Sequence, residues 1–592
     1  MQRPNSLIAR LVAFWQKTGS QVMKTQAPRR IVIVGGVAGG AAAAAKARRT
    51  DEHAAIVMFE RGQHVSFANC GLPYYVGGEI TERESLLLQT PESFWQRFRV
   101  RVQVFHEVLK IDRVAKLVEV RNLQTQEIFQ HPYDALILSP GAGAIVPPLT
   151  GLPAPNVFTV KTVPDSDAIR GWLEVHQPKQ AVVVGAGFIG LETAEALHQR
   201  GLEVTIVELQ PQVLPALDAD MAEQVARRLL ERGVQLVLGD GIAGLETDGD
   251  GVVNGVRLES GKVLPAGVVV LSIGVRPELK LAIDAGLEIG AAGGIAVNER
   301  QQTSDPHIYA AGDAVEVIQR VTGQKVRMPL AGPASKQGRV AGANAAGGDL
   351  QFPGAFGTAI VGTLGISAGR TGLTEREARA QGLAVQVTHT HNLDHAGYYP
   401  GASLLHIKLI TEATTGRLLG AQVTGENGVD KRLDVLATAL QAGMNVDELE
   451  DLDLAYAPQF SSARDPVIMA GLVAANAMRD GLSIITCPTL RARMAAGEVI
   501  QLVDVRTPLE FATGHLPGAV SIPIDEIRDR LCELQPSAQT VVYCKVGFRG
   551  YLAARILQQN GFASVQNLTG GMLICDQVRP VCPSQEPTGH AK

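Results

Sequence analysis

The sequence predicts an α/β protein in which two doubly wound nucleotide-binding units are followed by two further domains. Three observations predict it. A strand, a glycine-rich turn, a helix and a second strand ending in a carboxylate occur twice, at residues 31–60 and 181–208. A solitary cysteine, Cys70, follows the first unit within Ser66-Phe67-Ala68-Asn69-Cys70-Gly71-Leu72-Pro73-Tyr74-Tyr75. Near the other end, a buried strand delivers Cys544 to the loop Lys545-Val546-Gly547-Phe548-Arg549-Gly550.

A chain of 592 residues is long enough for several cores, about four domains of ordinary size. Its 63 glycines exceed the usual share and suit tight strand-to-helix turns around nucleotides. The net charge is −5 and no extended basic block is present, so no nucleic-acid partner is expected. Six scattered cysteines make neither a secreted disulfide framework nor a zinc signature, and the expected compartment is the cytoplasm. At the start, Leu7, Ile8, Leu11, Val12, Phe14 and Trp15 form one apolar side of a short helix. That run is too short to span a bilayer and lacks a small-residue cleavage site, so membrane association is not expected.

The first unit runs from the strand Ile31 to Val34 through Gly35-Gly36-Val37-Ala38-Gly39-Gly40 into an alanine-rich helix. Its second strand, Ala55 to Phe59, ends at Glu60, the distance at which a carboxylate holds a ribose. Gly35 and Gly40 are the candidate cofactor-binding glycines, and Val37 stands where the central glycine is usual. Residues 82–98 read as one helix ending in Trp95, Arg97, Phe98 and Arg99, and 118–120 with 128–133 as a hairpin. The strand Ala135 to Leu138 then closes on Ser139-Pro140-Gly141-Ala142, a turn that returns the chain to the cofactor.

In the second unit all three fingerprint glycines, Gly185, Gly187 and Gly190, follow the strand Ala181 to Val184. Helix-start amides attract a pyrophosphate, and Glu208 accepts hydrogen bonds from a ribose diol while repelling a 2′-phosphate. NADH is therefore expected over NADPH. Glu192 has two open readings, a group beside the nicotinamide or an ordinary helix-surface glutamate. Downstream, the strand at 308–311 ends at Gly312-Asp313, placing Asp313 to hydrogen-bond a flavin's ribityl chain, and the segment from Pro329 to Ala346 is a helix.

Beyond residue 350 strands and helices alternate, with aromatics clustered at 391–400 and 456–460. His391, His395, Tyr398 and Tyr399 lack cysteine, and Asp394 is their one nearby carboxylate, so no metal is expected. The phenols of Tyr398, Tyr399 and Tyr456 are instead candidates to donate protons or stabilise a thiolate. In the last unit, amides wrapped around the Cys544 sulfur at a helix start, with Lys545 and Arg549 nearby, lower a thiol pKa and hold an anionic or persulfidic sulfur. Cys575 and Cys582 have open roles, in a pair or in binding substrate sulfur.

With these motifs in place, the chain resembles the coenzyme A disulfide reductases fused to a C-terminal rhodanese domain, within the flavin-dependent pyridine nucleotide disulfide oxidoreductases. The resemblance covers nearly everything after Arg30. It rests on the Cys70 stretch, on Leu330-Ala331-Gly332-Pro333-Ala334-Ser335-Lys336-Gln337-Gly338-Arg339, on Ala396-Gly397-Tyr398-Tyr399-Pro400 and on Ser461-Ser462-Ala463-Arg464-Asp465-Pro466. The block from Asp504-Val505-Arg506 to Cys544 and Arg549 is an independent rhodanese-like match. Departures are Val37, Arg464 where lysine is usual and Ile468 where asparagine is usual.

The resemblance implies two Rossmann-like domains, for FAD and NADH, an α+β dimerisation domain and a C-terminal α/β rhodanese domain. The boundaries expected are 1–29 for an extension, 30–149 and 278–346 for the FAD domain, 150–277 for the NADH domain, 347–480 for dimerisation and 481–592 for linker and rhodanese. It also implies a homodimer in which Cys70 is the one redox cysteine, Asn69 and Phe67 lie beside it, and a tyrosine pair arrives from the partner subunit. The candidates for that pair are Tyr399, with Tyr398 as its rival, and Tyr456. Arg48 and Arg49 match positions that contact coenzyme A phosphates, and Lys545 and Gly547 hold substrate sulfur at Cys544. The implied function is NADH-driven reduction, through FAD and Cys70, of coenzyme A persulfide, coenzyme A disulfide or polysulfide, with sulfane sulfur transfer at Cys544. An NADH oxidase or peroxidase, or a rhodanese-type sulfur carrier or redox sensor with little turnover, are the alternatives.

Overall fold

The computed structural model describes residues 27–479 and 481–577. The apolar N-terminal segment and Cys582 lie outside them. Two parallel five-stranded sheets carry the nucleotide-binding units. The first runs Ile308–Ala310, Ala135–Leu138, Arg30–Val34, Ala55–Glu60, Val100–Val104 in space, and the second Gln235–Leu238, Glu203–Glu208, Gln180–Val184, Val268–Leu271, Val157–Phe158. In both, the strand that leads into the glycine turn sits in the middle, and the chain switches sides there. A crevice opens beyond the carboxyl ends of such strands. Their near-continuous apolar runs reflect burial on both faces, with Ile31, Val32 and Ile33 fully buried.

The alanine-rich helix spans Ala38–Thr50 and lies against the helix Ala331–Ala345. The two backbones touch: a Cβ at Gly338 would sit 2.1 Å from the Gly39 carbonyl oxygen, and one at Gly342 2.2 Å from that of Ala43. Small residues are thus required on both helices at this contact. The single helix expected over 82–98 is instead a 3₁₀ turn, Arg83–Leu86, and a helix, Pro91–Phe98. Pro91 takes the first helical position, and Thr90 and Ser93 form a reciprocal cap that starts a new helix there. The expected hairpin gains a third antiparallel strand, His106–Asp112.

The next domain is an antiparallel five-stranded sheet with the helices Val429–Ala442 and Pro466–Arg479 packed on it. The C-terminal domain is a parallel sheet in the order Ser483–Ile485, Ser564–Leu568, Gln539–Tyr543, Gln501–Asp504, Val520–Ser521. Cys575, whose role the sequence leaves open, is disulfide-bonded to Cys487. Among the described residues, no helix is long and apolar enough to cross a membrane.

The C-terminal domain is seated on the rest of the chain. The His389 amide donates to Thr569 Oγ1 at 2.8 Å, and a Cβ at Gly570 would sit 2.9 Å from that of His389. Behind this contact Lys408, 1% exposed, pairs with Asp218 (3.1 Å), Asp220 (2.8 Å) and Glu375 (2.9 Å), while His389 Nε2 lies 2.8 Å from Asp220. Burial opposes the Lys408 charge, yet the three carboxylates hold its pKa above the ordinary value. Removing one member of such a knot strands the others.

Candidate active sites

A cavity of 270 Å³ opens at the carboxyl end of the first sheet, lined by Gly35, Val37, Glu60, Ser139, Gly141 and Asp313 and by Phe67 and Asn69 beside Cys70. The turn is closed by glycine: a Cβ at Gly35 would sit 2.1 Å from the Ser139 carbonyl oxygen, and one at Gly40 1.8 Å from that of Gly35. Glu60 is aimed by its own backbone, accepting from the amides of Gly36 and Gly62 at 2.7 Å each. Burial pushes the Asp313 carboxyl up, partly offset by Lys161 across the cavity. A tight turn with a fixed carboxylate at its second strand fits an adenine dinucleotide such as FAD.

The second fingerprint repeats this construction. A Cβ at Gly185 would sit 2.4 Å from the Ser272 carbonyl oxygen, and one at Gly190 2.0 Å from that of Gly185, whereas Gly187 faces open space. Glu208 accepts from the amides of Ala186 and Gln210 at 2.8 Å each. Two turns close on a serine that follows a strand, Ser139 in Leu138-Ser139-Pro140-Gly141 and Ser272 in Leu271-Ser272-Ile273-Gly274. Ser272 was not anticipated, and this tetrapeptide repeat is the signal that marks it. Its buried hydroxyl has no hydrogen-bond partner among the described residues.

Cys70 lies in the 3₁₀ turn Asn69–Gly71, directly ahead of the helix Leu72–Gly77. That helix packs on the fingerprint helix Phe188–Gln199, where a Cβ at Gly77 would sit only 3.1 Å from Ala196 Cα. Across this contact the Tyr74 hydroxyl donates to Glu192 Oε1 at 3.0 Å. Desolvation, then the charges of Glu192 and Asp313, push the Cys70 thiol up, and Lys161 opposes them. Glu192 thus belongs to the electrostatic surroundings of Cys70. Burial also raises the Glu192 carboxyl itself. Asn69 Oδ1 is 3.8 Å from the Cys70 sulfur, which donates to it. Tyr74 sits inside the Cys70 stretch but was given no role there, and Lys161, which belongs to no motif, was missed.

Arg48 does not meet the role expected of it. Its guanidinium is buried and donates to the carbonyls of Phe98, Asp51, Glu52, Ala54 and Arg99, leaving no donor for a phosphate. Arg49 is exposed and donates to the Ala45 carbonyl of its own helix. Tyr398 and Tyr456 share a hydroxyl hydrogen bond of 2.9 Å, while Tyr399 stands edge-on to His395. Tyr398 and Tyr456 are 76% and 50% exposed, so the pair faces outward from its own protomer. Among the described residues, no group of three or more histidine, cysteine or acidic side chains gathers as a metal site.

At the other sulfur centre, Cys544 is fully buried, and the Gly547 amide donates to its Sγ at 3.1 Å. Gly547 adopts φ +104°, which turns the loop back over the sulfur before the helix Phe548–Gln559 begins. Arg549 is forked onto Glu510 through two bonds of 2.7 Å; this pairing raises the arginine pKa and lowers the Glu510 carboxyl to about 2. The Cys544 sulfur adds to the rise at Arg549. Lys545 is exposed. Glu510, which sequence analysis left without a role, anchors the cation of this loop from 39 residues away.

The pyridine nucleotide-disulphide oxidoreductase model matches residues 29–338, its dimerisation domain residues 359–467, and the rhodanese-like domain residues 486–573. A coenzyme A disulfide reductase of Staphylococcus haemolyticus (strain JCSC1435) is 35% identical over 444 residues, spanning 75% of this chain and 98% of the relative. The reduced CoADR-RHD of Bacillus anthracis superposes with a TM-score of 0.90 at 44% identity, covering 94% of this chain and 99% of that one. An NAD-dependent persulfide reductase from A. fulgidus gives a TM-score of 0.85 at 39% identity, covering 92% and 99%. The chain therefore belongs to the pyridine nucleotide-disulphide oxidoreductases, in the branch of coenzyme A disulfide reductases that carry a C-terminal rhodanese domain.

Proposed function

We propose that this enzyme uses NADH to reduce coenzyme A persulfide, coenzyme A disulfide or polysulfide at Cys70, and exchanges sulfane sulfur at Cys544. The observation that carries it is the position of Cys70, between the first cavity, through Asn69 and Phe67, and the second fingerprint helix, through Glu192. Gly35, Gly40, Glu60, Ser139, Gly141 and Asp313 would hold FAD, which supplies a two-electron relay between NADH and sulfur. Gly185, Gly187, Gly190 and Glu208 would hold the NADH.

With a persulfide, the Cys70 thiolate takes the outer sulfur, releasing the carrier thiol and leaving a Cys70 persulfide. Two electrons and a proton then return the thiolate and release hydrosulfide. Lys161 offsets the anionic surroundings of that thiolate. The outward-facing Tyr398 and Tyr456 serve the opposite protomer of a homodimer, donating protons to the departing sulfur. Both NADH and coenzyme A are cytoplasmic pools, which supports the cytoplasm as the site of action. At Cys544, the Gly547 amide and Arg549 hold the terminal sulfur of a persulfide, with Lys545 at the loop's rim.

The test is anaerobic NADH oxidation against coenzyme A persulfide, coenzyme A disulfide, glutathione persulfide and polysulfide, with sulfide quantified. Turnover that requires Cys70 and yields thiol or sulfide is expected. Faster consumption of oxygen or peroxide than of every sulfur acceptor would replace this reading with an NADH oxidase or peroxidase.

A further inference from the structure

The helix Gly571–Gln577 has no part in the chemistry assigned to Cys544, yet it holds the loop that carries it. The Met572 amide donates to the Cys544 carbonyl at 2.8 Å, and the Leu573 amide to that of Lys545 at 3.0 Å. Gly571 permits this approach, since a Cβ there would sit 2.4 Å from the Cys544 carbonyl oxygen. One turn further on, Cys575 is bonded to Cys487, which begins the helix Cys487–Ala495, and Arg491 donates to the Cys575 carbonyl at 2.7 Å. Both cysteines are fully buried in the small core that also holds Tyr543, the residue before Cys544. A covalent staple thus fixes the far side of the helix whose first amides orient the sulfur-bearing loop.

We propose that Cys487 and Cys575 form a third sulfur redox site, a reversible thiol–disulfide pair oxidised by polysulfide, which sets the rate of sulfur transfer at Cys544. The proposal rests on the reading of Cys544 as a transfer centre. In the oxidising direction, one thiolate of the pair takes a sulfur atom from a polysulfide, which leaves one atom shorter. The second thiolate attacks the cysteine sulfur of the resulting persulfide, forming the interhelix S–S bond and expelling the added sulfur as hydrosulfide. Two electrons pass from the cysteine pair to that sulfur, and the two thiol protons go to hydrosulfide and buffer. Two equivalents of a small thiol reverse the step and become a disulfide. Because both sulfurs are buried, exchange proceeds through opening of the Gly571–Gln577 helix, and the staple is slow to change compared with turnover at Cys544. The enzyme would therefore carry a record of its recent exposure to sulfane sulfur.

The test uses full-length enzyme reduced anaerobically with dithiothreitol, desalted and divided, with one portion exposed to polysulfide in the absence of NADH and desalted again. Mass spectrometry after alkylation should find the Cys487 and Cys575 peptides linked in the treated portion alone. Thiosulfate-to-cyanide transfer should be several-fold faster in that portion. Cys487→Ser, or Cys487→Ala if the serine variant fails to fold, should transfer at the reduced rate under both conditions. Cys544→Ser should lose transfer in both portions while still forming the linkage, which separates failure of the staple from failure of the Cys544 assignment. Absence of the linked peptides, or equal transfer rates in the two wild-type portions, would overturn the proposal.

Discussion

Cys70 stands in an exposed 3₁₀ turn with Glu192 and Asp313 for neighbours, and its thiol is held up, away from the thiolate. Cys544 is fully buried under a loop that points an amide at its sulfur and fixes an arginine beside it. The first centre has Lys161 opposing the anions around it and depends on what binds next to it. The second is preorganised by local backbone and a forked ion pair. On the proposed reading, a sulfur that accepts electrons is left responsive to its cofactor, whereas one that stores a persulfide is built into rigid structure.

The largest expected effect separates the two outright. Cys70→Ser should lower NADH-dependent sulfur reduction on the order of 10³-fold or more, with thiosulfate-to-cyanide transfer intact, and Cys544→Ser should do the reverse. Parallel loss of both activities in either variant would break the comparison. Next comes the shared seat: Lys408→Ala should destabilise the protein by about 3–5 kcal/mol, measured by chemical denaturation, and weaken both centres together. Glu510→Gln acts on one centre alone. Loss of a charge-assisted bond worth about 1.5–3 kcal/mol should slow transfer at Cys544 on the order of 10–100-fold and leave reduction at Cys70 unchanged. In the unmodified enzyme the Arg549 pairing holds the Glu510 carboxyl down at about 2, so this anchor persists as pH falls through the ordinary carboxylate range and fails only close to that value.

The smallest effect tests the electrostatics of Cys70. Neutralising Glu192 as Glu192→Gln removes a negative charge that disfavours the thiolate, so the Cys70 pKa should fall, by about one unit or less. Iodoacetamide alkylation of the holoenzyme as a function of pH reads this as a profile displaced to lower pH. A profile that stays in place would show that Glu192 does not act on the thiol.

The fold was legible where its determinants are local. Both fingerprints announce themselves through a buried strand, a glycine turn and a terminal carboxylate, and the Cys544 loop through a strand, a turn and a helix. What escaped lies in contacts between distant segments. Lys161 reaches the first cavity from beyond the proline-rich exit, and Glu510 reaches Arg549 from another helix. The Cys487–Cys575 bond spans 88 residues. Arg48 was misread because an arginine at a helix end looks the same in sequence whether it faces a phosphate or caps five carbonyls. The helix expected over 82–98 breaks because Pro91 and the Thr90 cap outweigh the apolar pattern that runs through them.

The seating of the C-terminal domain on His389, above the buried Lys408 knot, bears on how sulfur moves between the centres. Two modules joined by a slack tether meet at an effective concentration set by linker length. A docked module has no such sphere to sample; its two sulfurs are either within contact range or permanently out of it. Where they lie out of range, traffic between them falls to a diffusible carrier, and the fusion secures equal numbers of the two centres in one place rather than a swinging arm.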